Sequence, residues 1–234
     1  MTAVLDRPAA ATPAPPARQP LRVALLAVIA AGLVALGGGL AVALGIGADA
    51  APAAPAADSV DAGFSRDMTV HHLQAVQMAN LALERSTDPE VRQLAFDISA
   101  GQTNQAGRMQ GWLALWGLPL TGPEHMTWMA GDDMAGHHTG GTDGAGGALM
   151  PGMASREELA QLRGLTGTEF DVEFLRMMIR HHQGGAEMAR YAAEHADRSA
   201  VRVLAGSIAD AQAAETTTMT SMLTARGGTP LPPP

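Results

Sequence analysis

Apolar positions between residues 58 and 226 recur at spacings of three and four, which predicts helices, and no stretch alternates as a strand would. Phe64, Met68, His71, Ala75, Met78 and Leu81 or Ala82 share one face of a first helix. Asp58 or Ser59 can cap its start, and it ends near Arg85. Thr87-Asp88-Pro89-Glu90 then supplies a cap, a first-turn proline and a glutamate in capping-box position. The second helix carries Val91, Leu94, Ile98, Gln102, Gln105, Met109 and Leu113 inward, and Gly117 and Pro119 end it. After a glycine-rich stretch without periodicity, Ser155-Arg156-Glu157-Glu158 predicts a short capped helix to about Arg163. Thr166 or Thr168 can cap a third long helix and Asp197 a fourth, which fades by Gly227.

The third and fourth helices restate the first and second. Asp61-x-x-Phe64-x-x-x-Met68-x-x-His71-His72-x-x-x-x-x-Met78-Ala79 returns 110 residues later as Asp171-x-x-Phe174-x-x-x-Met178-x-x-His181-His182-x-x-x-x-x-Met188-Ala189. The register then holds: Val91, Leu94, Ile98, Gln102, Met109 and Leu113 meet Val201, Leu204, Ile208, Gln212, Met219 and Leu223, and Gln105 falls opposite Glu215. Two copies of a helical hairpin predict an all-α, ferritin-like four-helix bundle with pseudo-twofold symmetry.

A different pattern precedes the bundle. Residues 1–22 are Pro/Ala-rich and predicted to be disordered, residues 23–47 carry no charge, and residues 48–57 form an Ala/Pro linker. Twenty-five uncharged residues can span a bilayer. Arg7, Arg18 and Arg22 before them, with Asp49 and Asp58 after, place the N-terminus in the cytoplasm and the rest outside it. An uncleaved anchor is preferred, although Ala48-Asp49-Ala50 also suits removal as a signal segment. The bundle domain is therefore assigned to 58–226, with a loop at 120–154 and a Pro-rich tail at 227–234.

Composition narrows the chemistry. Without cysteine, neither disulfides nor thiolate sites exist. Every basic residue is arginine, and from Asp49 onward 22 acids face 12 arginines, so a nucleic acid partner is not expected. Adjacent helical residues point about 100° apart, so one imidazole of each pair can face the bundle axis while the other nears a helix boundary. Met68 lies within a turn of both His71 and His72, Met78 lies two turns beyond His71, and Met178, His181, His182 and Met188 repeat the arrangement. Imidazole suits copper, zinc, iron and nickel, and thioether favours copper(I). No Glu-x-x-His occurs, which speaks against di-iron oxidase chemistry. Gln102, Gln105, Gln212 and Glu215 are placed to bind the ring N–H groups. A polar network that merely fixes helix register is the competing reading of the same residues.

The 120–154 loop adds His125, Met126, Met129, Met134, His137, His138, Met150 and Met153, which reads either as a low-complexity linker or as a flexible copper collector. His195 is read as a partner of its helix C-terminus.

The doubled Phe-x-x-x-Met-x-x-His-His-x-x-x-x-x-Met-Ala, with Met150-Pro151-Gly152-Met153 before the second copy, resembles the family catalogued as domain of unknown function 305. The resemblance covers residues 58–226. It implies a ferritin-like bundle, exported or membrane-anchored in bacteria, and a link to copper handling in some members. The implied ligands are His71, His72, His181 and His182 with Met68, Met78, Met178 and Met188. The first copy departs from the family pattern, with Leu73-Gln74-Ala75 where the second has Gln183-Gly184-Gly185.

These readings predict an extracytoplasmic, membrane-anchored or secreted protein that sequesters or transfers copper, with zinc or iron as other candidate ions. A redox-metal enzyme and a structural envelope bundle with core histidines are the alternatives. The enzyme ranks below the carrier because no carboxylate-rich site or nucleophile arrangement appears. Imidazole binding is expected to weaken as pH falls through about 6.5, whereas thioether binding is not.

Overall fold

The computed structural model describes residues 19–43, 53–122, 124–129 and 148–234. The chain divides into two units, Met1–Ala53 and Ala54–Pro234. The first contains helix α1, Gln19–Ala43. Its stretch Arg22–Leu40, of mean hydropathy 2.4, is long and apolar enough to cross a membrane, and none of it is buried.

The second unit is the expected four-helix bundle. Its long helices are α2 (Val60–Arg85), α3 (Pro89–Leu115), α5 (Gly167–His195) and α6 (Ser199–Ala225), with a short α4 at Arg156–Gly164. Helices are the only regular structure among the described residues. Ser59 caps α2 by accepting from Ala62 N, Asp88 caps α3 with Pro89 in its first turn, and Ser155 with Glu158 forms the capping box of α4. The start of α6 differs from expectation. Asp197 does not cap it; the buried Asp61 carboxylate of α2 accepts from Asp197 N at 3.1 Å and Arg198 N at 2.9 Å. A side chain from the other hairpin thus satisfies donors that α6 leaves free. Thr166 occupies the cap position of α5 without a side-chain bond.

That carboxylate sets the N-terminus of α2 beside the C-terminus of α5, so the two helices run antiparallel. Arg226 at the end of α6 pairs with Asp88 and Glu90 at the start of α3, giving the same relation on the other side. α2 packs closely on α3, α5 on α6, and α2 on α5.

Buried side chains form two apolar clusters. One holds Met78, Ile98, Phe170, Phe174, Met178, Met219 and Leu223. The other holds Phe64, Met68, Met109, Met188, Val201 and Ile208, joined by Trp128, Met129, Met150 and Met153 from the connection between the hairpins. Each large side chain so buried contributes roughly 1.5–3 kcal/mol. Antiparallel packing explains why Met68 shares a cluster with Met188, and Met78 with Met178, although each pair comes from opposite repeats.

Candidate metal centre

His71, His72, His181 and His182 sit at mid-helix on α2 and α5 and are fully buried. The His71 and His181 rings, equivalent in the repeat, meet with centroids 3.8 Å apart. His182 lies with its centroid 6.3 Å from that of His181. Two residues related by the repeat can touch only near the pseudo-twofold axis, so this contact marks it.

The outer histidines are oriented symmetrically. His72 Nε2–H donates to Gln105 Oε1 at 2.7 Å, and His182 Nε2–H donates to Glu215 Oε2 at 2.7 Å. His71 Nε2–H donates to the Pro151 carbonyl at 3.1 Å. Each bond leaves Nδ1 as a bare lone pair, and Nδ1 of His71, His72 and His182 is buried without a partner. Neither nitrogen of His181 makes a hydrogen bond of normal geometry, although the His71 backbone offsets its pKa depression slightly. Burial pushes His71 down to about 4, against the Pro151 bond and with the field of His182 adding to it. Burial and then the charge of His71 push His72 down to about 3. His181 is also held well below its ordinary value, first by burial and then by the other three imidazoles. His71, His72 and His181 are therefore neutral near pH 7, the state in which imidazole binds metals.

Gln102 and Gln212 complete this layer differently from expectation. They are buried, but both amide atoms of each lack partners and neither binds an imidazole. Only Gln105 and Glu215 do.

The connection between the hairpins crosses over the site. The Asp67 carboxylate of α2 accepts from His125 Nδ1 at 2.7 Å, Met126 N at 2.7 Å and Trp128 Nε1 at 2.8 Å. Met126 is held in the left-handed region, φ 64°, which side chains seldom adopt without such support. Gly63 makes room for Trp128, because a Cβ there would collide with the indole. On the far side, Gln74 binds the Ala154 backbone through both amide atoms, at 2.9 and 2.7 Å. Gly184 admits the Pro151 carbonyl against α5, and Gly152, at φ 76°, turns the chain there over Arg180 and His181. Arg180 holds Glu158 by two bonds of 2.8 Å, fixing α4 to α5.

Of the candidate ligands read from the sequence, the four histidines form one layer. Met68 and Met188 lie in one flanking cluster, and Met78 and Met178 in the other. Met129 is buried beside Met68 and Met188, Met126 packs against that cluster, and His125 is engaged with Asp67. Met134, His137 and His138 lie outside the described residues. Residues missed from sequence alone are Pro151, which orients His71, and Asp67 and Gln74, which anchor the crossing chain. Their signal was present: Gly63, Asp67 and Gln74 face Glu173, Met177 and Gly184 in the other copy, and the repeat breaks where the connection crosses.

The donor set suits a soft or borderline ion. Three ring N–H groups are tied so that three lone pairs stay free, and thioethers crowd the neighbouring cluster. Among the described residues no three His, Asp or Glu side chains already stand at metal-holding geometry. Binding through imidazole would therefore need two rings plus a thioether, or a shift of one ring.

A family model described as "Domain of unknown function (DUF305)" matches residues 61–223. A DUF305 protein from Streptomyces coelicolor, provisionally described as secreted, is 40% identical with TM-score 0.67, over 75% of this chain and 99% of its own. A DUF305 fragment from Deinococcus radiodurans is 34% identical with TM-score 0.58, over 75% and 99%. CopM in its Cu(I)-bound form is 26% identical with TM-score 0.54, over 72% and 98%, and structures of CopM with Cu(II) and with Ag are also similar. No curated protein sequence matches the chain.

Proposed function

The chain belongs to the DUF305 family, and from that premise we propose that it is an extracytoplasmic, non-catalytic copper carrier whose cargo is held by the buried histidine layer and neighbouring thioethers. The observation that carries this reading is the set of three Nδ1 lone pairs, buried and unpartnered while their Nε2–H groups are bound. A core built only for packing would lose stability by leaving three such acceptors unmade. His71 and His181, adjacent on the axis, are the first two ligands; Met68, Met78, Met178 and Met188 flank them along α2 and α5. Gln105 and Glu215 orient His72 and His182 so that their Nδ1 lone pairs complete the ligand set.

The cluster of Met68, Met109, Met129, Met150, Met153 and Met188 gives a second, thioether-dominated class of site, to which His125, Met126, Met134, His137 and His138 deliver the ion. Thioether does not titrate, so this class holds copper(I) at pH values where exposed imidazole is lost. The carrier reading extends to the N-terminus: α1 anchors or exports the chain, with residues 58–226 as the functional domain outside the cytoplasm and 120–154 as its metal-facing loop. Binding of copper by CopM supports the choice of ion.

One observation favours the structural alternative: no three histidine or carboxylate ligands are already gathered. A copper titration separates the two. Replacing His71, His72, His181 and His182 by glutamine should remove the imidazole-dependent part of copper binding while the helical spectrum persists. Unchanged binding in that folded variant assigns the histidines to the core alone.

A further inference from the structure

The histidine layer is closed where the connection crosses it, but α3 and α6 come less close together and leave a crevice of about 20 Å³. It is lined by Ile98, Gly101, Gln102 and Gln105 from α3 and by their equivalents Ile208, Ala211, Gln212 and Glu215 from α6, with Asp97 at the edge. Four equivalent pairs facing one another place the crevice on the pseudo-twofold axis, the same axis on which His71 meets His181.

Three observations connect the crevice to the imidazoles. First, two of its wall residues, Gln105 and Glu215, are the ones that bind His72 and His182. The Glu215 side chain is 33% exposed while that of His182 is 0% exposed, so this carboxylate reaches from solvent to a buried ring. Second, Gln102 and Gln212 line the crevice at 4% and 2% exposure, with all four amide atoms unpartnered. Such amides are destabilising unless something polar visits them. Third, Gln212 and the inner ring both border Gly185: a Cβ there would stand 2.7 Å from Gln212 Oε1 and 2.9 Å from His71 Cε1. Glycine is what lets amide and imidazole share that spot, and the equivalent position in the other repeat is Ala75.

We propose that this crevice is the path by which the cation enters and leaves the histidine layer, a role that rests on the carrier reading. Asp97 and Glu215 attract the hydrated ion. The opening admits roughly one water, so the ion sheds its shell there. The carbonyl oxygens of Gln102 and Gln212 replace the lost water and pass the ion to the imidazoles. Both amides turn without breaking an existing hydrogen bond, which keeps the passage fast. Of the residues lining the crevice, Asp97 and Glu215 are the acids; their counterparts in the other copy are Ser207 and Gln105, so two carboxylates stand along one route.

The test is stopped-flow uptake of aqueous copper(II) by the full chain in detergent, read by quenching of tryptophan fluorescence, with equilibrium stoichiometry measured alongside. Asp97→Asn should slow uptake about three- to tenfold at low salt, with the difference shrinking at high salt and stoichiometry unchanged. Ala211→Phe, which fills the opening, should slow it further. Asp97→Arg provides the decision if Ala211→Phe does not fold, and should be slower than Asp97→Asn. Unchanged rates in the folded variants would overturn the route, most directly if Asp67→Asn, which loosens the crossing chain, speeds uptake instead. A parent protein that takes up no copper, or uptake left undiminished by loss of all four histidines, would overturn the carrier reading rather than the route.

Discussion

Adding one methyl group at Gly184 tests whether the crossing chain and the histidine layer form a single structure. A Cβ there would lie well inside the 3.0 Å that real Cβ atoms keep, against the Pro151 carbonyl oxygen and carbon and close to Gly152 N. These are backbone atoms, so no rotamer change relieves the clash, and the 150–153 segment must move by about the missing distance. Overpacking of this kind costs about 1–3 kcal/mol. The same movement removes the acceptor of His71 Nε2–H, and an orphaned buried donor adds about 1–3 kcal/mol. Gly184→Ala should therefore lose roughly 2–6 kcal/mol in urea unfolding of residues 54–234, and its imidazole-dependent copper affinity should fall with it. Gly185→Ala is the informative neighbour. It meets only the side-chain ends of Gln212 and His71, which can yield, so its stability loss should be smaller, about 1–2 kcal/mol, while its copper binding changes as much. Equal, negligible losses in both variants would refute the view that Pro151 is seated against α5.

Two further outcomes follow from the same geometry. Because His71, His72 and His181 are depressed below the ordinary value of about 6.5, the unfolded chain takes up protons first as pH falls. Their stabilising contribution is complete above 6.5 and is lost as pH drops toward about 4 for His71 and about 3 for His72. Thermal melts of the metal-free protein between pH 7.5 and 4.5 should show that decline, and His72→Gln should flatten it; a profile unaffected by the substitution would assign the acid sensitivity elsewhere. Asp67→Ala removes the acceptor for three donors of the crossing chain and should cost about 2–4 kcal/mol, with a red shift of Trp128 emission. An unshifted spectrum would contradict its role as anchor.

The bundle and the outer half of the histidine layer were legible in the sequence because both depend on local periodicity and on the repeat. Spacing put Gln105 and Glu215 at equivalent positions of the repeat, among four residues placed to bind ring N–H groups. What stayed hidden depends on contacts between distant segments. Asp197 has the residue type of a cap, yet the cap comes from Asp61, 136 residues away. Gln102 and Gln212 share the inner face with the residues that bind imidazole, but a helix turn decides which side chain reaches the ring. The 124–129 and 148–155 segments carry no periodicity, so their seating was invisible, although Gly63 and Gly184 mark it once the copies are compared. The pH expectation also changes for His71, His72 and His181: burial holds all three below the ordinary histidine value, so acid reaches them first through unfolding.

The central claim, that imidazole holds the cargo, is tested most directly by X-ray absorption at the copper edge of loaded protein near pH ~7.5. The account predicts the multiple-scattering signature of imidazole together with sulfur scatterers in the parent, and sulfur alone once His71, His72, His181 and His182 are replaced by glutamine. Identical spectra from the two folded proteins would contradict it.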